Sequence, residues 1–117
     1  MTKAEKRSLT EHLAEKVCGW TIRRETLLYG ASLVLYCNPD GSLAVPSTFA
    51  PLTDPRDTAL VMEAWRKSER GLSLEIDTCS GKWVSTADDM DDECKSWSWT
   101  EAVCLAIYRA SIEGERS

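Results

Sequence analysis

Five carboxylates occupy six consecutive positions late in this 117-residue chain: Asp88, Asp89, Asp91, Asp92 and Glu93. Two tryptophans, Trp97 and Trp99, follow closely. Acids clustered in this way can chelate a hard cation, mimic a phosphate backbone, or simply solvate a turn. The metal reading fails on spacing. In an EF-hand read from Asp89, Asp91 takes the third position and Glu93 the fifth. Cys94 then stands where the sharp turn needs glycine, and Thr100 where the bidentate glutamate belongs. The mimic reading has more in its favour. Dense carboxylates can occupy a Lys/Arg groove on a nucleic-acid-handling protein, and the helix dipole does not account for them. Glu93 lies five residues before Ser98, the expected helix cap, and the dipole acts only within the first turn. Against this stands the general tendency of charge runs to be solvated.

The other chemistries are judged by subtraction. His12 is the only histidine, so a Ser-His-Asp or Cys-His arrangement would have to use it as the base. It precedes Leu13 and falls off the apolar face of its helix, which predicts exposure. The phosphate-loop patterns G-x-x-x-x-G-K-[ST] and G-x-G-x-x-G are absent. Nineteen acids make paired carboxylates unavoidable, and none stands out as a glycosidase pair. No cofactor is implied, and the expectation is a protein that is not an enzyme.

Tryptophan remains, with five copies against one phenylalanine. Trp20 and Trp65 read as core, and Trp83 can face either way. Trp97 and Trp99 flank Ser98, so they are not expected to be buried on the same side. An exposed tryptophan beside dense charge suits a hot spot for a protein partner. The structural alternative is a staple, Trp97 packing near Ala102.

Composition and charge narrow the partner. The chain is 43% hydrophobic and 28% charged, as in an ordinary globular protein. Net charge is −5 and uneven. Residues 1–24 carry six bases and three acids, whereas residues 71–117 carry ten acids and four bases. The acidic half argues against direct nucleic-acid binding and suits a basic protein surface. Cys18, Cys37, Cys79, Cys94 and Cys104 form no C-x-x-C pair, and "MTKAEKRSLTEH" has no apolar core of a signal peptide. These features predict reduced thiols in a cytoplasmic protein, with no membrane partner.

The elements that would carry these residues are legible in part. Ser8 with Glu11 is a capping box for a helix over Leu9–Cys18, ended by Gly19. "LVLYC" (Leu33–Cys37) reads as a strand, and "NPDG" (Asn38–Gly41) as a turn returning through Ser42–Val45. Asp54, Pro55 and Gly71 punctuate a second helix with Ala59, Val61, Met62 and Trp65 on its buried stripe. "GLSLEIDT" alternates, placing Leu72, Leu74 and Ile76 on one face of a half-buried strand. "KWVST" (Lys82–Thr86) pairs back on it. A last helix begins at Ser98 with Glu101 and stops at Gly114. The expectation is one α+β domain over residues 1–117. It has three helices and an antiparallel sheet of about four strands, in the order αββαββα.

Three stretches carry a family resemblance: "LAEKVCGW" (Leu13–Trp20), "PSTFAPLTDPRDTALVMEAW" (Pro46–Trp65) and "WTEAVCLAIYRASIEG" (Trp99–Gly114). In this order they resemble the phage ABA-sandwich domain family of small bacteriophage proteins, the first being the most specific. The acidic loop Asp88–Glu93 and the stretch Thr21–Val45 depart from that pattern. The resemblance implies an α/β/α sandwich encoded by a phage or prophage, acting in the host cytoplasm. It implies no catalytic residues.

The leading expectation is therefore a non-enzymatic phage accessory protein, an anti-defence inhibitor of the anti-CRISPR kind. It would occlude a basic surface of a host protein, such as a nucleic-acid-binding immune complex. Asp88, Asp89, Asp91, Asp92 and Glu93 would meet the basic surface, with Trp97 or Trp99 as apolar anchor. The alternative is a sponge for a small signalling nucleotide, built from Arg23, Arg24, Tyr29 and Tyr36. An open sheet edge would also permit a homodimer.

Overall fold

The computed structural model describes residues 1–45, 48–88 and 93–116. Over these residues the protein is mixed α+β, with three α-helices and two small antiparallel sheets of two and three strands. It divides into two compact units, Met1–Phe49 and Ala50–Ser117.

In the first unit, helix α1 spans Lys3–His12. Thr2 caps it by accepting from the Glu5 N–H at 3.1 Å, and the Thr2 hydroxyl bonds the Glu5 carboxylate at 3.2 Å. The helix thus starts six residues before the expected Ser8–Glu11 box. Thr2–Glu5 has the same spacing, and Glu11 is engaged elsewhere, pairing with Arg24. Leu13–Val17 then form one π-helical turn. The Cys18 N–H reaches back to the Leu13 carbonyl at 2.9 Å, and Gly19, at φ 73°, turns the chain out. The wide turn inserts a residue and rotates the face that follows. Leu9, Leu13 and Ala14 are buried, whereas Val17 and Cys18 are only half-buried. His12 is also half-buried, not exposed as its position predicts.

Strand β1 (Thr21–Thr26) pairs with β2 (Ser32–Cys37), from Thr21↔Cys37 to Thr26↔Ser32. The hairpin therefore closes at Leu27–Ala31, not at "NPDG". The Asn38–Gly41 turn does form, with the Gly41 N–H on the Asn38 carbonyl at 2.9 Å, but its return arm adds only the isolated bridge Cys37↔Leu43. "TIRRET" carries one aliphatic residue and hence no alternation to read; β2 supplies its register. Trp20, Tyr36 and Phe49 form an aromatic cluster, with Phe49 5.0 Å from Trp20 and 5.3 Å from Tyr36 between ring centroids.

In the second unit, helix α2 (Pro55–Lys67) is capped as expected, Asp54 accepting from the Arg56 N–H at 3.0 Å. It ends through Glu69 at φ 60° rather than through Gly71. Its buried stripe is Thr58, Val61 and Trp65; Met62 is half-buried and Ala59 exposed. Strands β3 (Leu72–Ile76), β4 (Trp83–Ala87) and β5 (Cys94–Ser96) form a sheet in the order β3-β4-β5. The extra strand β5 is too short to show a periodicity. Helix α3 (Trp99–Arg116) packs chiefly on β4 and β5, and Gly114 lies within it instead of ending it. Val103, Cys104, Ile107 and Ala110 form its buried stripe.

Three side-chain donors strap the Pro51–Leu52 segment to both helices. Thr58 Oγ1 donates to the Pro51 carbonyl at 2.6 Å, Cys104 Sγ to the same carbonyl at 3.2 Å, and Thr100 Oγ1 to the Leu52 carbonyl at 2.6 Å. An irregular segment needs such partners when buried, because an unbonded carbonyl away from water is costly.

The thiols fall into distinct environments. Cys79 is exposed, whereas Cys37, Cys94 and Cys104 are buried. Desolvation pushes the Cys18 thiol up to about 12, leaving almost no thiolate at neutral pH. Iodoacetamide at pH 8 should therefore label Cys79 first, with Cys18 protected until the chain unfolds. Peptide mapping of the labelled sites checks this order.

Candidate functional site

The expected site divides when its residues are placed. Asp89, Asp91 and Asp92 lie outside the described residues. Asp88 faces inward. Its carboxylate accepts from Arg70 Nε at 2.8 Å and from the Gly71 N–H at 3.2 Å, and its own N–H donates to the Gly71 carbonyl at 2.8 Å. Arg70 in turn lies over the Trp65 ring, 3.9 Å from its centroid, and the Trp65 indole N–H donates to the Gly71 carbonyl at 2.8 Å. Asp88 reaches these partners by adopting φ 55°, a left-handed conformation that aspartate tolerates better than most residues. This carboxylate fastens the α2–β3 connection to the end of β4.

Glu93 is exposed. It contributes to a groove of about 300 Å³ whose walls also carry Glu75, Asp77 and Lys95. Lys95 is paired with Asp77 at 3.5 Å, so Glu75 and Glu93 leave the groove with an acidic excess. Nothing in the alternation of "GLSLEIDT" points to this groove, because it joins β3 to the residue preceding β5.

Trp97 is 71% exposed, in the turn between β5 and α3. Trp99 is half-buried as the first residue of α3, and Trp20 and Trp83 are also half-buried. Trp97 is nevertheless held. Its ring lies against Gly81, where an added Cβ would meet it at 3.7 Å, and Lys82 Nζ sits 5.4 Å from its centroid. The Ser98 N–H donates to Ser96 Oγ at 3.1 Å, and the Ser98 hydroxyl bonds that of Thr100 at 2.7 Å. Ser98 precedes α3 as expected, and its hydroxyl is spent on Thr100.

The floor under Trp97 is the β3–β4 loop. The Asp77 carboxylate accepts from the Cys79 N–H at 3.0 Å and from the Ser80 hydroxyl at 2.9 Å, while the Gly81 N–H donates to the Asp77 carbonyl at 2.7 Å. Trp97 and the acidic groove both border this loop, Trp97 through Gly81 and the groove through Asp77.

The hydrogen bond from Cys79 N–H, then those from Ser80 and Lys95, hold the Asp77 carboxyl below its ordinary value of 3.8. The sign follows: a carboxyl whose pKa is depressed by folding stabilises the fold above the unfolded value, and that contribution is lost as pH falls through the folded value. The amide signals of Cys79 and Ser80 should thus titrate with a midpoint below 3.8, as an NMR pH titration will show.

Of the residues of the ligand-sponge reading, Arg24 and Tyr36 share a face of the hairpin and interact electrostatically, while Tyr29 stands apart at the turn. Arg23 pairs with Glu25 and Arg24 with Glu11. Tyr29 is 98% exposed at the β1–β2 turn, and Tyr36 is buried in the aromatic cluster. Burial raises the Tyr36 hydroxyl above its usual value, with Glu11 adding to the shift. Among the described residues, no three His, Cys, Asp or Glu are grouped to hold a metal ion, and no helix is long and apolar enough to cross a membrane. No protein-family model matches the chain, and neither do any of the curated proteins or solved structures with which it was compared.

Proposed function

We propose that this chain is a small phage-encoded α/β/α sandwich that works by binding rather than catalysis. Its role is anti-defence: it occludes a basic surface of a host cytoplasmic protein, in the manner of an anti-CRISPR inhibitor. One observation carries the reading. Trp97 is exposed with one edge against a hydrogen-bonded loop, beside an acidic groove. A tryptophan has only two side-chain torsions to order on binding and a large apolar area to bury, which are the properties of a hot-spot anchor. Glu75 and Glu93 supply the complementary charge, and Asp89, Asp91 and Asp92 extend it along the sequence. Asp88 is left out of the contact because its carboxylate is occupied by Arg70 and Gly71.

The test is capture of partners from host lysate by the tagged protein, run beside Trp97→Ala and Glu75→Gln/Glu93→Gln variants. The expected result is a stoichiometric partner that Trp97→Ala loses and that the neutralised groove releases at lower salt. A partner retained by both variants, or turnover of a substrate by the purified protein, would overturn the reading.

A further inference from the structure

Among the described residues the sheet of the second unit ends at β3, and no other strand pairs with that edge. Ser73, Leu74, Glu75 and Ile76 are all exposed, Leu74 at 37% and Ile76 at 54%. A half-buried strand normally hides its apolar face, so these exposures need an account. The face in question also carries Ser85, Ala87 and Cys94, all buried. Helix α3 packs chiefly over β4 and β5 and only lightly against β3, whose Leu74 and Ile76 side chains stay exposed.

The backbone is arranged for another strand. The Asp88 N–H bonds to the Gly71 carbonyl and the Asp77 N–H to the Lys82 carbonyl, and antiparallel pairs alternate between bonded and non-bonded. Gly71, Ser73, Glu75 and Asp77 therefore direct their main-chain groups towards β4. Leu72, Leu74 and Ile76 direct theirs outward at the edge. No proline or bulge guards it. Beside Leu72 lies a groove of about 460 Å³, bounded by Ala59 and Met62 of α2 and by the stems of Glu63, Arg66 and Arg70.

We infer that β3 is a homodimer interface, pairing antiparallel with β3 of a second copy about a two-fold axis at Leu74. This goes beyond the partner-binding reading and does not depend on it. In this register Leu74 opposes Leu74, and Leu72 opposes the partner's Ile76. Each is a hydrogen-bonded pair, because these are the residues whose main-chain groups point outward. The partner's Ile76 then lies against Leu72 at the mouth of the α2 groove, which gives the most exposed apolar side chain of β3 a place to be buried. Shifting the register by one residue would send the apolar set to the opposite face.

Charge agrees with the same register. Glu75 opposes the partner's Ser73 rather than another carboxylate. Arg70, before the strand, approaches the end of the partner strand, where Asp77 stands. The opposite edge, β5, has three residues with Lys95 at its centre, which blunts it for pairing. An isologous contact through β3 closes on itself and yields a dimer, not a fibre.

Sedimentation of the full chain across micromolar to millimolar concentration tests the inference. The expected result is a concentration-dependent species of twice the 13.1 kDa chain mass. Ile76→Lys, at an exposed position that does not threaten folding, should weaken the dimer at least tenfold. In a Cys79→Ser background, Leu74→Cys should cross-link under mild oxidation, because opposed Cα atoms about 5.5 Å apart suit a disulfide. Lys95→Cys, on the other edge, should not. A chain that stays at monomer mass throughout overturns the inference. So does a dimer that Ile76→Lys leaves intact and Leu74→Cys fails to cross-link.

Discussion

Replacing Trp65 with alanine is expected to cost about 3–5 kcal/mol of folding stability, the range for truncating a buried aromatic. The ring is 2% exposed, so the loss includes both its transfer free energy and the cavity left behind. Two further partners are disturbed. Arg70 loses the ring face beneath its guanidinium, 3.9 Å from the centroid, and the Gly71 carbonyl loses the indole donor at 2.8 Å. The carbonyl keeps its bond from the Asp88 N–H, so it is not orphaned. Arg70 keeps its ion pair with Asp88 at 2.5 Å but loses the surface that aims it. Since a small domain has only about 5–15 kcal/mol to lose, this one change removes a large share. Urea unfolding monitored by far-UV circular dichroism measures it. Trp65→Phe should retain much of the burial and lose the donor, falling between wild type and alanine.

The same substitution at Trp97 should behave in the opposite way. An exposed ring in a turn contributes little to folding, so Trp97→Ala should change stability by no more than about 0.5 kcal/mol. If Trp97 anchors the partner, affinity should fall by about 2 kcal/mol or more, roughly 30-fold in Kd. Calorimetry of wild type and variant against the captured partner gives the affinity, and urea unfolding of the same samples gives the stability. A large loss of both would make Trp97 a structural residue. The contrast arises from packing alone: Trp65 is enclosed on a helix stripe, and Trp97 rests on Gly81 with most of its ring in water.

The sequence was most legible where local chemistry decides the structure. Asp54 and Pro55 start α2 because a side-chain cap and a fixed φ act within one turn. The β3–β4 pairing follows from an alternating run and a tight loop. What was not legible depends on distant partners. β1 has no apolar alternation and takes its register from β2. The π turn at Leu13–Val17 leaves no local mark, and after it Val17 and Cys18 are only half-buried although they recur with Leu9 and Leu13 at helical spacing. For the site, clustering could reveal the acids but not their division. Asp88 and Glu93 belong to one run, yet the first turns inward to Arg70 and the second faces a groove that β3 completes. The indole that is exposed was one of a pair the sequence could not separate, because Trp97 borders a different loop, the β3–β4 connection at Gly81, which is distant in sequence.

The strap over Pro51–Leu52 divides the interior of the second unit into two kinds of position. At Val103 and Ile107 the surroundings ask only for shape, and aliphatic residues of similar volume can replace one another over generations. At Thr58 and Thr100 they ask for a hydroxyl, because each is pledged to a carbonyl that no water can serve. Valine fits the volume at both, but at Thr100 it takes the hydroxyl donor from the Leu52 carbonyl and at Thr58 it leaves the Pro51 carbonyl with the weaker Cys104 thiol; serine keeps the donor and loses only a methyl group. The lineage of this fold is therefore free to drift in its greasy layer and tethered at two small polar columns. Those columns set the alignment of two helices against a segment that has no regular structure of its own.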